Sequence, residues 1–250
     1  MTGAAIAADG LGKDFGSIRA LDRLDLEVRE AEFFGFLGPN GAGKTTTVHL
    51  LATLLKPSRG TARVAGHDVA RDSLAVRRSI GLVFQDTTLD RDLTVEENLR
   101  FAARLWNLPG PAAAPRIDRL LREFGLVERR RDPVRTLSGG MRRAVDIARG
   151  VLHEPRLLFL DEPTAGLDPR ARRSLWELIR RLRESTGLTV FLTTHYVEEA
   201  EPCDRVAVLD RGRLVALGAP AELKRDAGVG SLEEVFLART GHPLAEPSAA

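Results

Sequence analysis

Phe33-Phe34-Gly35-Phe36-Leu37-Gly38-Pro39-Asn40-Gly41-Ala42-Gly43-Lys44-Thr45-Thr46 is the stretch on which the fold turns. The apolar run Phe33 to Leu37 reads as a strand buried on both faces. It runs straight into a glycine-rich loop that matches G-x-x-x-x-G-K-[ST] at every fixed position, and the residues after Lys44 read as a helix. That order gives the loop its chemistry. Glycines let the backbone wrap an anion, and successive N–H groups at a helix N-terminus form a nest for phosphate. Lys44 is placed to reach β- and γ-phosphates, and the Thr45 hydroxyl to ligate Mg²⁺. A chance glycine-rich turn would lack the strand before and the helix after. The candidate nucleotide-binding residues are therefore Gly38, Pro39, Asn40, Gly41, Ala42, Gly43, Lys44, Thr45 and Thr46.

Further apolar runs share the strand pattern: Ile80 to Phe84, Leu157 to Leu160, Thr189 to Thr193 and Val206 to Leu209. Helical patterns lie between them, so the fold class is α/β with a mainly parallel sheet. Leu175, Leu178, Ile179 and Leu182 recur at i, i+3, i+4 and i+7, which predicts an amphipathic helix over Arg170 to Glu184. Thr88 to Gly150 differs, having no strand pattern. Thr94-Val95-Glu96-Glu97 is a capping box that opens a helix through Trp106. Pro109-Gly110-Pro111 breaks that helix, and Ile117, Leu120, Leu121 and Phe124 form the next apolar stripe. This segment reads as a helical lobe inserted into the sheet domain. Leu21, Leu24, Leu26 and Val28, within the first 30 residues, suggest a small antiparallel β element. The expected organisation is a single domain, 1–250. Residues 1–87 and 151–230 form its core, 88–150 the helical part, and 231–250 a C-terminal helix and tail that frays from Pro243.

Composition is that of an ordinary globular chain: 250 residues, 43% hydrophobic, 29% charged, net charge +2. No apolar run approaches the roughly 20 residues needed to span a bilayer, and the N-terminus shows no export signal. The single Cys203 forbids an internal disulfide and suits a reducing cytoplasm. Of 37 basic residues only Lys13, Lys44, Lys56 and Lys224 are lysines, an arginine bias that points to a GC-rich genome more than to a function. The densest charge cluster, Glu128-Arg129-Arg130-Arg131-Asp132, reads as a solvated loop and not as a nucleic-acid patch. Cys203 reads as a buried structural thiol, and His49, His67 and His153 lack metal-ligand spacing.

Downstream of the loop, Leu157-Leu158-Phe159-Leu160-Asp161-Glu162 ends an apolar strand in two acids. Asp161 at a strand end can bind Mg²⁺, directly or through water, and Glu162 can polarise an attacking water and accept its proton. Between the two motifs stands Leu137-Ser138-Gly139-Gly140, ahead of a helix predicted through Leu152. The amides of Ser138, Gly139 and Gly140 and the Ser138 hydroxyl can hold a γ-phosphate by the same anion logic.

Phosphate loop, Ser-Gly-Gly segment and acidic strand, in that order, resemble the ATP-binding-cassette (ABC) ATPases, and the resemblance extends from about Leu11 to Gly241. It implies a P-loop NTPase (RecA-like) core with a small N-terminal antiparallel β element and an inserted α-helical subdomain. It also implies ATP and Mg²⁺ as cofactors, a dimer, and a mechanical output. By the same resemblance Gln85 is the glutamine that touches Mg²⁺ or water and links the core to the helical lobe, completing a metal set of Thr45, Gln85 and Asp161. His195 is the switch histidine on the γ-phosphate, so Glu162, His195 and Gln85 form the catalytic set. Pro163-Thr164-Ala165-Gly166-Leu167-Asp168 is the D-loop, with Asp168 crossing the dimer interface. Phe15 is the aromatic that stacks on adenine. Ser138, Gly139 and Gly140 act on the partner subunit's ATP.

Met141 departs from the glutamine usual in the family. Ser-Gly-Gly-Met-Arg-Arg over Ser138 to Arg143, with Thr194-His195-Tyr196-Val197-Glu198-Glu199-Ala200-Glu201, resembles the ABC-2 exporter branch that includes daunorubicin-type drug-resistance ATPases. Gly212-Arg213, Gly218-Ala219-Pro220-Ala221-Glu222-Leu223-Lys224 and Ser231-Leu232-Glu233-Glu234-Val235-Phe236-Leu237 fit the same branch. The implied function is the motor of an exporter of drugs or other small molecules. It lies peripherally on the cytoplasmic face of the cell membrane and drives a separately encoded transmembrane permease, which Gln85 to Leu99 contacts. An importer ATPase is the competing reading, disfavoured by Met141 and the C-terminal phrases. A soluble cassette acting on nucleic acid or ribosomes usually needs long coiled coils or tandem cassettes, for which 250 residues with one phosphate loop leave no room.

Overall fold

The computed structural model describes residues 3–244. In chain order the elements are β1 (Ala4–Phe15), β2 (Ile18–Arg29), β3 (Phe33–Leu37), α1 (Lys44–Leu51), β4 (Arg59–Val64), β5 (His67–Asp68), α2 (Ser73–Ser79) and β6 (Ile80–Val83). A helical run follows: α3 (Val95–Leu105), α4 (Gly110–Glu123) and α5 (Gly139–Val151). The chain then returns through β7 (Leu157–Asp161), α6 (Pro169–Thr186), β8 (Thr189–Thr194), α7 (Val197–Ala200), β9 (Arg205–Asp210), β10 (Arg213–Gly218), α8 (Pro220–Ala227) and α9 (Leu232–Thr240).

The main sheet has the order β10-β9-β3-β8-β7-β6, parallel except for the edge strand β10. Its inner strands are buried on both faces, so they read as unbroken apolar runs, but the side chains still alternate. Phe34, Phe36, Phe159 and Phe191 join the core on the side of α1. Leu37, Leu158, Leu160, Val190 and Leu192 join the core of the helical run. On the first side the rings of Phe34, Phe36 and Phe159 lie with centroids 5.5, 5.3 and 5.4 Å from that of Phe191. Val48, Leu50 and Leu51 of α1 close that core against a second, antiparallel sheet of order β2-β1-β4-β5. The antiparallel part is thus larger than the expected element in the first 30 residues. Its strands β4 and β5 show no clear alternation, because Arg59, Gly60 and Thr61 dilute the apolar signal.

The helical run meets the sheet at close quarters. A Cβ on Gly81 of β6 would lie 2.3 Å from the Gly150 carbonyl oxygen, so β6 and α5 touch backbone to backbone. The box at Thr94 forms as expected: Glu97 N–H donates to Thr94 Oγ1 at 3.2 Å, and Thr94 N–H donates to Glu97 Oε2 at 2.8 Å. Helix α6 covers the predicted stripe and runs slightly further at each end. Cys203 is a buried thiol, as expected, and burial pushes its pKa up. In the cluster Glu128 to Asp132, Glu128, Arg129 and Arg131 are exposed as a solvated loop requires, and Arg130 alone corrects that reading. Arg130 is half-buried, its Nε and Nη2 donating to Glu96 at 2.6 and 2.8 Å and its Nη1 to Asp118 at 2.7 Å. It ties α3 and α4 together, which charge spacing along the chain could not show.

Candidate active site

Strand register assembles the site. Leu37 of β3 lies beside Thr194 of β8, and Asp161 of β7 lies beside Thr193. The carboxyl ends of three parallel strands therefore deliver the phosphate loop, the acidic pair and His195 to one edge, where open α/β sheets bind ligands. Alternation decides which side chains share a face: Asp161 follows Phe159, and Thr193 follows Phe191, on the side of α1.

The phosphate loop enters α1 through Gly43 at φ +104°, a left-handed conformation, and a Cβ there would meet the Ala20 carbonyl at 2.6 Å. The β1–β2 hairpin thus abuts the loop. No side chain caps the first turn of α1, so its amides are free to face an anion. Lys44 is 5% exposed. Its ammonium donates to the Gly38 and Pro39 carbonyls at 2.9 and 3.1 Å and pairs with Glu162 Oε1 at 3.1 Å. Pro39, Asn40, Gly41, Ala42 and His195 line one cavity of about 910 Å³. Thr46 is half-buried beside the exposed Thr45.

Asp161 and Glu162 are 2% and 8% exposed. Thr45 Oγ1 and Thr193 Oγ1 both donate to Asp161 Oδ1, at 3.4 and 2.5 Å. Glu162 has φ +45°, unusual for a non-glycine residue. Its amide donates to the Thr193 carbonyl and hydroxyl, each at 3.1 Å, while its carboxylate meets Lys44 and, at 3.0 Å, His195 Nδ1. Contacts on both sides hold the strained backbone in place. Lys44, Glu162 and His195 thus form a continuous chain of contacts beside the hydroxyl–carboxylate pair Thr45–Asp161. A lysine and backbone amides for phosphate, hard oxygens for a divalent cation, and a carboxylate against an imidazole for a water fit hydrolysis of a nucleoside triphosphate. No group of three or more His, Cys, Asp or Glu residues suited to a metal occurs among the described residues. A Mg²⁺ held mainly by phosphate oxygens needs none.

The remaining expected residues lie elsewhere. β6 ends at Val83, so Gln85 stands two residues past the strand and not at its end; it is exposed and makes no side-chain hydrogen bond among the described residues. Ser138 caps α5, its Oγ accepting from Met141 N–H at 3.3 Å. Gly139 and Gly140 abut Leu167 and Ala171, not the chain's own phosphate loop. Asp168 caps α6, its Oδ1 accepting from the Arg170 and Ala171 amides at 3.0 and 2.9 Å; those bonds, led by Ala171, lower its pKa. Ser138, Gly140, Met141 and Asp168 share an open hollow of about 800 Å³. Phe15 is 45% exposed at the hairpin tip, with the Lys13 ammonium 5.2 Å from its ring centre.

The sequence pattern of the ABC transporter family matches residues 21–165, from β2 through the acidic pair to Ala165. The chain belongs to the ABC transporter family. It is 48% identical over 242 residues to a daunorubicin resistance ATP-binding protein of Streptomyces coeruleorubidus, covering 96% of this chain and 76% of that one. It is 44% identical to a Nod factor export ATP-binding protein of Ralstonia nicotianae, covering 87% and 68%. The solved structure of an ATP-binding subunit of an ABC transporter superposes with a TM-score of 0.83 at 32% identity, covering 94% of this chain and 99% of that one. The chain is thus an ATP-binding, ATP-hydrolysing subunit of an ABC transporter, on the P-loop NTPase fold. No helix among the described residues is long and apolar enough to cross a membrane.

Two buried charged residues tie down loops of this site, and the sequence assigned neither of them a role. Arg143, 6% exposed on α5, donates through Nη1 and Nη2 to the Phe84 and Gln85 carbonyls, both at 2.6 Å. It bolts the loop carrying Gln85 to the helix that begins at Gly139. Burial lowers its pKa, partly offset by Asp146. It was visible as part of Ser-Gly-Gly-Met-Arg-Arg, but only as a spelling. Glu199, 2% exposed on α7, accepts from Thr164 and Thr194. In the sequence it stood only as part of the Thr194 to Glu201 phrase, one helical turn past His195.

Proposed function

We propose that this subunit is the motor of an exporter of drugs or other small molecules, working as a homodimer on the cytoplasmic face of the membrane against a separately encoded permease. The observation that carries the motor part of the reading is the Lys44–Glu162–His195 chain beside Thr45 and Asp161. ATP enters with its phosphates on the free amides between Asn40 and Thr46 and its adenine on Phe15. Phosphate oxygens compete with Glu162 for the Lys44 ammonium, which frees the carboxylate to take a proton from the attacking water. His195, oriented by Glu162 through Nδ1, faces the γ-phosphate with its remaining ring nitrogen. Thr45, Asp161 and Gln85 are the residues that would hold Mg²⁺, which supplies charge neutralisation on the phosphates.

Ser138, Gly139 and Gly140 have no hydrogen bond to their own chain's Lys44, Asp161 or Glu162 among the described residues, and Ser138 and Gly140 share a hollow with Asp168. This supports their service to the ATP of a second copy, with Asp168 near the same interface. Dimer closure then needs the γ-phosphate, and hydrolysis reopens it. In this reading residues 1–87 and 151–230 are the nucleotide-binding core, and 88–150 transmit its state to the permease through the Gln85 to Leu99 region; the expected C-terminal segment 231–250 contains α9, and its last six residues lie outside the described ones. Export, and drug-like cargo, follow the resistance and export names of the relatives. Glu162→Gln keeps the shape of the site but removes the base, so it should accumulate an ATP-bound dimer. Light scattering that finds this variant monomeric in saturating Mg-ATP overturns the dimer mechanism. Purification from native membranes in mild detergent should recover a stoichiometric partner with several membrane spans.

A further inference from the structure

Behind the His195–Glu162 contact lies a buried carboxylate that touches neither the phosphate loop nor the metal-binding oxygens. Glu199 Oε1 accepts from Thr164 Oγ1, in the segment that leads from Glu162 to Asp168. Glu199 Oε2 accepts from Thr194 Oγ1 at 2.6 Å, the residue immediately before His195. Thr194 Oγ1 in turn accepts from the Tyr196 amide at 2.9 Å, so His195 is bracketed on both sides. The Arg172 guanidinium lies over the Tyr196 ring at 4.6 Å, and that ring is 4.0 Å from the imidazole of His195. Arg172 Nε approaches Glu199 only to 3.8 Å and has no hydrogen-bond partner among the described residues. The two threonine hydroxyls, not the arginine, hold the carboxylate.

We infer that Glu199 is a positioning residue that couples the Thr164–Asp168 segment to His195, so that displacement of that segment resets the imidazole. The inference rests on the proposed roles of Glu162 and His195. A carboxylate suits the task because each oxygen accepts from a different loop, and a buried, charge-assisted pair of bonds resists separate movement of its ends. A pull on Thr164 shifts Glu199, then Thr194 and the Tyr196 amide, and hence both flanks of His195. The segment from Thr164 is also the one that ends at Asp168, in the hollow shared with Ser138 and Gly140. The route therefore runs from the proposed dimer face of one subunit to its own hydrolytic centre.

The test measures ATP turnover, ATP affinity and melting temperature on the complex purified from native membranes. Thr164→Val and Glu199→Gln should each lower kcat about tenfold while KM for ATP stays within about twofold, the pattern of lost transition-state alignment. Thr164→Ser restores the hydroxyl and should restore turnover. The double variant T164V/E199Q should be no slower than the slower single variant, because both cut one connection. Glu162→Gln and His195→Ala in the same preparation report on the underlying reading: if both keep full turnover, that reading fails. If they lose turnover but Thr164→Val keeps it, the coupling alone is overturned. Multiplying losses in the double variant, or losses that track a fall in melting temperature and in ATP affinity, would also overturn it.

Discussion

Arg143→Ala should destabilise the chain and slow it for one reason. Its guanidinium makes two 2.6 Å bonds to the Phe84 and Gln85 carbonyls and lies 3.7 Å from Asp146, which is 1% exposed. Hydrogen bonds from a charged group contribute about 1.5–3 kcal/mol each, and removing one partner of a buried ion pair costs about 3–5 kcal/mol. These overlap in one side chain, and Asp146 keeps Arg149 at 2.7 Å. The expected net loss is therefore about 3 kcal/mol, or about 6–12 °C in melting temperature for a chain of this size. Arg143→Lys should lose about half as much, since a compact ammonium cannot span two carbonyls.

The sign of the pH effect follows from Asp146, whose pKa burial pushes above the ordinary 3.8 despite Arg149 and Arg143. An acid raised in the folded state favours folding less as pH climbs from its unfolded value through its folded one. Removing Arg143 raises it further. The variant's deficit should therefore be larger at neutral pH than near 3.8, and Asp146→Asn added to Arg143→Ala should recover part of it. Turnover should fall with ATP affinity intact, because the loop carrying Gln85 loses its anchor while the phosphate loop does not. Thermal melts followed by circular dichroism, with a coupled ATPase assay, decide the matter. Arg143→Ala melting within about 2 °C of wild type, the scale of a neutral surface change, with unaltered turnover, would refute the anchoring argument.

Arg130 and Arg100 hold the Glu96 carboxyl down from 4.5 to about 2. A depressed acid contributes stability above its unfolded value, and that stability is lost as pH falls through the folded one. With both arginines at least a third exposed, Glu96→Gln should cost about 1–2 kcal/mol at neutral pH, and the gap to wild type should close between pH 4.5 and about 2; urea titrations across that range check it. Gly81→Ala forces a Cβ to 2.3 Å from the Gly150 carbonyl. It should cost about 1–3 kcal/mol by overpacking, read as a lower melting temperature; an unchanged melt would show that β6 and α5 do not approach so closely.

Much of this site was legible in the sequence because its parts are local. The phosphate loop is a contiguous phrase between a strand and a helix. The acids at 161 and 162 follow an apolar run whose burial on both faces leaves no alternative to a parallel strand. Thr94 announces a helix start through its capping box and does cap; Ser138 and Asp168 prove to cap as well, a role the sequence did not assign them. What stayed hidden is built across long sequence separations. Arg130 looked like one of several solvated charges until Glu96 and Asp118 stood beside it. The strands β4 and β5 carry too few apolar residues to declare themselves; β4 forms on the edge that β1 offers, and β5 on the edge of β4. Gln85 was placed one step too close to the sheet, since Phe84 continues the apolar run after the ladder has ended at Val83.

The two hidden anchors share a physical logic. Arg143 at 6% exposure and Glu199 at 2% are charges in places that hydrophobic residues could fill. Replacing a buried charge with a well-packed apolar group is often neutral for stability, so stability alone does not account for them. An apolar side chain could occupy the volume, but it could not answer the carbonyls of Phe84 and Gln85 or the hydroxyls of Thr164 and Thr194. Those groups belong to the loops that carry Gln85, Asp168 and His195, which the strands deliver only approximately. A charge with several directed bonds returns each loop to one geometry after it moves, and the cost of leaving such a charge unmatched penalises every other geometry. On the proposed mechanism, the sheet sets where Asp161 and Glu162 stand, while Arg143 and Glu199 set where the loops carrying Gln85, Asp168 and His195 come to rest.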